Sequence, residues 1–171
     1  MDDGVSITSI LTIGDAAGVK FAPDGQAGEP WVMVGTPDGL GAYDNGNGTM
    51  TVLMNHELEA DEGVVRAYGA TGAFVSRLIV DKETLEVLGG QDLIRELHLW
   101  DEGAQDHALS QEALDRLCSA DLPEATAFFN PATNRGYAEG RIYMNGEESG
   151  SDAGPSPTSS PGPRRAAASR P

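Results

Sequence analysis

The sequence has very little cysteine and very little lysine. Among its 171 residues, Cys118 is the single cysteine, and Lys20 and Lys82 are the two lysines. One cysteine excludes an intrachain disulfide framework and a paired-cysteine zinc or redox motif. The formal net charge is −16, and nucleic acids and anionic membrane surfaces bind clusters of basic side chains, so neither is expected as a partner.

Long apolar runs are missing as well. No stretch approaches the roughly 18 residues of a transmembrane helix, so no membrane insertion is expected. The acidic residues 1–4 (MDDG) are not a basic segment followed by an apolar one, so no secretory signal is expected in the chain as given. Acidity instead favours cations such as calcium, although acidity that serves only solubility stays an open alternative.

Residues 35–59 (GTPDGLGAYDNGNGTMTVLMNHELE) predict the centre of the fold. Residues 40–43 are a short apolar stretch, and the Asn-Gly-Asn-Gly sequence of residues 45–48 tolerates positive φ and so closes a hairpin. Residues 49–54 are β-branched or apolar and predict the second strand.

The second strand of this hairpin ends in three polar side chains, Asn55, His56 and Glu57. Alternation along a strand places Asn55 and Glu57 on one face of the sheet and His56 on the other. A buried Glu57 without a partner is costly, so we expect it to meet a cation or hydrogen-bond donors, or to lie at the rim of the sheet.

The rest of the chain predicts short strands and little helix. Strands are predicted at residues 5–13, 31–34, 73–80, 85–88, 93–100 and 141–145, with a turn at residues 81–84. One short helix is predicted over residues 112–117, with Ser110 as its N-cap. Many short strands joined by Gly, Asn and Asp turns predict an all-β, antiparallel fold. Their spacing suits about three four-stranded blades of a β-propeller, or an irregular sandwich.

The composition changes abruptly at Ser149. Residues 1–148 are predicted to form the partial β-propeller domain, whereas residues 149–171 are rich in Pro, Ser, Ala and Arg and have no apolar residue larger than Ala. Such a segment buries too little apolar surface to offset its ordering entropy, so a disordered C-terminal tail is expected. A second interpretation, left open, is out-of-frame translation of a GC-rich gene.

Standard catalytic motifs are absent from the sequence. Residues 56–60 (HELEA) begin like a zinc-protease helix, but Ala60 stands where the second histidine is required. A dispersed set of polar residues remains near the ends of apolar stretches: Asn55, His56, Glu57, Cys118, Asp121, Glu147 and Glu148. A thiolate with carboxylates suits a transition metal, and neighbouring carboxylates suit calcium. The alternatives are an interior His56, a buried apolar Cys118 and a solvated turn at residues 147–148.

Four stretches carry a resemblance to a known family. They are residues 35–59, residues 63–94 (GVVRAYGATGAFVSRLIVDKETLEVLGGQDLI), residues 117–130 (LCSADLPEATAFFN) and residues 141–148 (RIYMNGEE). Together they resemble secreted bacterial proteins similar to PhoX-type alkaline phosphatases. The resemblance implies a β-propeller that hydrolyses small-molecule phosphate esters with calcium and iron, in the periplasm or outside the cell.

The resemblance also implies the site residues. Glu57, Cys118, Glu147 and Glu148 match metal ligands, and Asn55 or His56 would support those ligands. By the same resemblance, the chain corresponds to the first half of its relatives and is a truncated, inactive portion of a metal-dependent phosphoric monoester hydrolase. The alternative function is a non-catalytic, calcium-binding secreted β-propeller that acts as a binding or structural module.

Overall fold

A computed structural model describes residue 4 and residues 6–21 and 28–148. The predicted tail, residues 149–171, lies outside the described residues. The strands are β1 (Ala16–Ala17), β2 (Val19–Lys20), β3 (Trp31–Val32), β4 (Pro37–Asp44), β5 (Thr49–His56), β6 (Phe74–Asp81), β7 (Val87–Asp92), β8 (Leu97–Asp101), β9 (Asp106–Ser110), β10 (Leu117–Asp121), β11 (Phe129–Asn130), β12 (Arg135–Gly136) and β13 (Met144–Glu147). The described residues contain no helix, so the prediction of an all-β fold is confirmed.

One five-stranded sheet, in the order β2-β7-β6-β5-β4, forms the centre of the structure. Strands β4 to β7 follow one another as an antiparallel meander, and β2 adds to β7 in parallel. The other sheets are the antiparallel pairs β1-β3, β8-β9, β10-β13 and β11-β12. The described strands form neither a closed barrel nor a complete propeller.

The predicted hairpin between β4 and β5 is confirmed. Gly46 and Gly48 have φ of 75° and 87°, a region that glycine enters without steric cost. The Asp44 carboxylate accepts a hydrogen bond from the Gly46 N–H at 2.9 Å, and the Lys82 ammonium lies 2.7 Å from the same carboxylate. Turn chemistry therefore determines the register of the two strands.

The predicted turn at residues 81–84 is confirmed too. The Asp81 carboxylate accepts hydrogen bonds from the N–H groups of Glu83 and Thr84, at 2.9 and 2.8 Å. Leu85 has a φ of 60°, which an extended strand does not contain. The returning strand therefore begins at Val87 instead of residue 85.

The central sheet has an apolar cluster on each face. On one face Leu53 belongs to a cluster with Val75, Leu117 and Tyr143. On the other face Met54 belongs to a cluster with Trp31, Met33, Leu78, Val80 and Val87. Strand β10 packs against the edge strand β4. The two strands are so close that a Cβ built at Gly39 would lie 2.6 Å from the Ala120 Cβ.

The helix predicted over residues 112–117 is wrong. Ser110 does accept a hydrogen bond from the Glu112 N–H, at 3.1 Å, as an N-cap does. The chain then stays extended, since Leu114 forms a parallel bridge with Gly72 and Leu117 begins β10. Both leucines are buried in the core, so tertiary packing outweighs the local capping signal.

Other boundaries differ from the sequence predictions. Of the strand predicted at residues 5–13, residue 5 lies outside the described residues, and residues 6–13 form no strand. Ile7 is 97% exposed, so the alternating pattern of this segment packs against no sheet of the described residues. Of the strand predicted at residues 93–100, only the part from Leu97 onward is a strand. The last strand runs from Met144 to Glu147 and so begins later than predicted. In the part of the chain that the structure describes, no helix has the length and apolarity needed to span a membrane.

Candidate functional site

The pairing of β10 with β13 brings three of the predicted ligands onto neighbouring segments. Leu117 lies opposite Glu147, and a register shift follows before Ala120 pairs with Asn145. The Cys118 thiol lies 3.9 Å from the Gly146 carbonyl oxygen. Cys118 and Glu147 are thus on adjacent strands although 28 residues separate them in the sequence.

Each of the two glutamates at this end of β13 has a contact to the chain before β10. The Glu147 carboxylate accepts a hydrogen bond from the Asp115 N–H at 2.9 Å. The Glu148 N–H donates to the Arg116 carbonyl oxygen at 2.9 Å, and its carboxylate lies 4.0 Å from the Arg116 guanidinium. Glu147 is half-buried and Glu148 is exposed, so Glu147 is the better placed of the two for a specific site.

Two residues connected to Glu147, Asp115 through its backbone and Asn145 through β13, carry buried oxygens that are unusual. The Oδ1 atoms of Asp115 and Asn145 are buried and have no hydrogen-bond partner among the described residues. Buried acceptors are nearly always paired, and an unpaired one carries a free-energy penalty. Neither residue is predicted as a site residue from the sequence: Asp115 lies inside the incorrectly predicted helix, and Asn145 has no predicted role.

Asn55 lies beside this pair of strands and is fully buried. Its side-chain N–H donates to the Ser119 carbonyl oxygen at 3.3 Å. The Tyr143 hydroxyl lies 2.9 Å from the Gly39 carbonyl oxygen and 3.1 Å from the Asn55 Oδ1. Burial raises the pKa of Tyr143 above its ordinary value, and the negative charge of Asp38 adds to the shift. The phenol therefore stays protonated and ties β4 and β5 to the segment before β13.

His56 lies on the other face of β5, as alternation predicts, and is fully buried. Its Nδ1 lies 2.8 Å from the Val34 carbonyl oxygen, which only accepts, so Nδ1 carries the proton. Nε2 then accepts from the Ser76 hydroxyl at 2.8 Å. The ring stacks on Phe74 with a centroid distance of 4.1 Å. Burial lowers the pKa of His56 to about 4.

The Ser76–His56 pair has the spacing of a nucleophile and its base. Both side chains are 0% exposed, so a substrate has no path to them. His56 is therefore a hydrogen-bonded interior histidine, which is one of the alternatives predicted from the sequence.

Glu57 follows β5 directly and is half-buried. Its N–H donates to the Thr36 carbonyl oxygen at 2.9 Å, just before β4 begins. Within residues 6–21 and 28–148, no three His, Cys, Asp or Glu side chains lie close enough together to hold a metal ion by themselves. Calcium and iron stay predictions from the resemblance.

Comparison with known proteins adds no relative. The chain has no significant match to a protein-family model, to a curated protein or to a solved structure. The resemblance to PhoX-type phosphatases therefore stays a prediction.

Proposed function

We propose that this chain is a calcium-binding β-sheet module of a protein similar to metal-dependent phosphoric monoester hydrolases, and that it is inactive as a hydrolase by itself. The observation that carries the proposal is two buried, unpartnered oxygens, Asp115 Oδ1 and Asn145 Oδ1, on residues connected to Glu147. The Asp115 backbone N–H donates to the Glu147 carboxylate, and Asn145 lies two positions before Glu147 on β13. This group is called the β10–β13 oxygen cluster below.

The chemistry of the β10–β13 oxygen cluster suits a hard cation. Calcium binds carboxylate and amide carbonyl oxygens and completes its coordination with backbone carbonyls and water. The hydrogen bond from the Asp115 N–H to Glu147 brings two carboxylate-bearing residues together, and a cation removes the cost of placing like charges near each other. Cys118, one position into β10, is the residue that the resemblance implies as a ligand for the softer metal, iron.

Calcium bound at this place would neutralise and orient the phosphoryl oxygens of a small-molecule phosphate ester. The chain's own residues provide the frame: Asn55 holds the Ser119 carbonyl, and Tyr143 joins β4 and β5 to the segment leading into β13. Because the Ser76–His56 pair is enclosed in the core, it supplies no nucleophile to such a ligand. We therefore expect the module to bind the phosphate ester without hydrolysing it, because hydrolysis requires catalytic groups other than the residues named here.

The partial β-propeller of about three blades belongs to the same proposal, as does a periplasmic or extracellular location. The four consecutive antiparallel strands β4 to β7 have the strand number and connectivity of one propeller blade. This connectivity supports the partial propeller. The remaining described pairs are two-stranded. A secreted location is the environment in which calcium is abundant enough for a weak site to fill.

Calcium is expected to raise the melting temperature of the chain without producing turnover. At a calcium concentration 100 times the dissociation constant, binding contributes about 2.7 kcal/mol, which is roughly 5–10 °C for a domain of this size. Asp115→Asn is expected to remove most of this increase, because it removes the charge of the carboxylate that carries the unpartnered Oδ1. Differential scanning calorimetry with and without calcium, with p-nitrophenyl phosphate hydrolysis measured on the same samples, tests the proposal.

Asp121→Asn is the matched control, since Asp121 is an exposed residue at the end of β10 and its replacement removes the same charge. It should keep the calcium-dependent increase. Calcium-dependent hydrolysis by the chain would show that the module is itself an enzyme. A melting temperature that calcium does not change, or that changes equally in both variants, would contradict the proposed site.

A further inference from the structure

A cavity of about 310 Å³ lies on the face of the central sheet that carries Leu53. Its floor is β4, β5 and β6, and its roof is the chain around residues 122–125 and 140–143. Gly41 permits this arrangement, because a Cβ at that position would lie 2.7 Å from the Leu122 Cβ and 3.0 Å from the Tyr143 ring. The cavity is therefore built by sheet and loops together.

The walls are mainly apolar and aromatic. Leu53, Leu122 and the ring of Tyr143 line the cavity, and Tyr43 lies at its side. The Tyr143 hydroxyl is already engaged with Gly39 and Asn55, so Tyr143 offers the cavity its ring. Such a lining is typical of sites that bind an apolar group.

Two arginines and no acidic residue complete the lining, although the whole chain carries a net charge of −16. The Arg77 Nε is buried and has no hydrogen-bond partner among the described residues. The Arg141 guanidinium donates to the Pro123 carbonyl oxygen at 3.3 Å and reaches Glu124 at 3.4 Å. It also lies 5.1 Å from the centre of the Tyr43 ring. The cavity thus combines apolar walls with a buried donor that lacks an acceptor.

We propose that this cavity binds a small monocarboxylate with an apolar body, such as an aryl or short alkyl carboxylic acid. A carboxylate has the planar pair of oxygens that fits a guanidinium fork. One negative charge matches the two arginines, because Glu124 already offsets part of the charge of Arg141. The volume exceeds the roughly 150 Å³ that holds a benzene ring, which leaves space for the head group. This inference is independent of the proposed calcium module.

The first test compares three ligands of similar shape on the unmodified chain by isothermal titration calorimetry in calcium-free buffer. 3-Phenylpropionate is expected to bind about tenfold or more tightly than the neutral 3-phenylpropanol, because its carboxylate meets charged donors. It should also bind more tightly than phenyl phosphate, whose second charge the site does not balance. Equal binding of the alcohol would show an apolar cavity only. Tighter binding of phenyl phosphate would show a phosphate site, and either result, or no binding, overturns the proposal.

The second test changes the arginines. Arg77→Met keeps most of the apolar stem and removes the buried donor, and Arg141→Gln removes the second charge. Each is expected to weaken 3-phenylpropionate binding about tenfold, whereas Arg135→Gln, an equal charge change at an exposed position on β12, should leave it unchanged. Undiminished binding in both cavity variants, or the same loss in Arg135→Gln, would contradict the assignment. If Arg77→Met does not fold, Arg141→Gln and the ligand series still decide the result.

Discussion

Lowering the pH from 7.5 to 4.5 is expected to reduce the free energy of unfolding by about 2.5 kcal/mol through His56 alone. The unfolded chain protonates His56 near its ordinary pKa of 6.5, but burial lowers the pKa in the folded chain to about 4. Between pH 7.5 and pH 4.5 the unfolded state binds more protons than the folded state, so the free energy of unfolding falls as the pH falls. Above pH 6.5 this loss is absent, and below pH 4 it is complete.

Urea denaturation of the wild type and of His56→Gln across this pH range measures the effect. The variant is expected to be less stable at pH 7.5, because it loses the bonds to Val34 and Ser76. The difference in stability between the two proteins should then shrink by about 2.5 kcal/mol at pH 4.5. His107→Gln, at an exposed position, should keep the pH dependence of the wild type. Parallel curves for wild type and His56→Gln would contradict a buried neutral histidine.

Replacing Gly39 with alanine is expected to destabilise the fold by about 2 kcal/mol. The added Cβ would lie 2.6 Å from the Ala120 Cβ, 2.7 Å from the Ala120 backbone nitrogen and 2.8 Å from the Asn55 amide nitrogen. Backbone cannot move aside as a flexible side chain does, so β10 would separate from β4. The same change would disturb Asn55, which holds Ser119. Chemical denaturation measures the loss directly.

Gly35→Ala provides the matched control. Its added Cβ would have only an ordinary contact, 3.7 Å from the Leu58 side chain, so its stability should stay within about 0.5 kcal/mol of the wild type. Equal losses in the two variants would mean that the effect comes from removing a glycine near β4. A neutral Gly39→Ala would show that β10 does not pack against β4 as closely as described.

Local signals predicted the central sheet well. The Asn-Gly-Asn-Gly turn and Asp81 act within a few residues of themselves, so the β4–β5 hairpin and the turn before β7 follow from turn chemistry. Alternation also placed Asn55 and His56 on opposite faces correctly. These features depend on neighbours in the chain, which a single sequence contains.

The incorrect predictions depend on long-range contacts. The capping pattern at Ser110 is present, yet Leu114 and Leu117 are buried by pairing and packing with distant segments, and this outweighs the helical signal. The alternating pattern of residues 6–13 carries no information about whether a neighbouring strand is available to pair with it. The parallel pairing of β2 with β7 also lacks a local signature.

The candidate sites could be predicted only in part. Cys118 and Glu147 were selected from the sequence, and the structure places them on paired strands. Asp115 and Asn145 became visible only through burial without a partner. Arg77 and Arg141, 64 positions apart, meet at one cavity because Leu122 and Tyr143 cover Gly41. Burial and convergence of this kind are properties of the folded chain.

A calcium titration followed by two-dimensional ¹H–¹⁵N NMR shows directly whether calcium binds at the β10–β13 oxygen cluster. We expect saturable shifts of the Asp115, Asn145 and Glu147 amide signals, which sodium chloride at equal ionic strength does not reproduce and which Asp115→Asn abolishes. If calcium leaves these signals unchanged, or shifts only the acidic segment at residues 57–62, the β10–β13 oxygen cluster is not a calcium site and the proposed module is wrong.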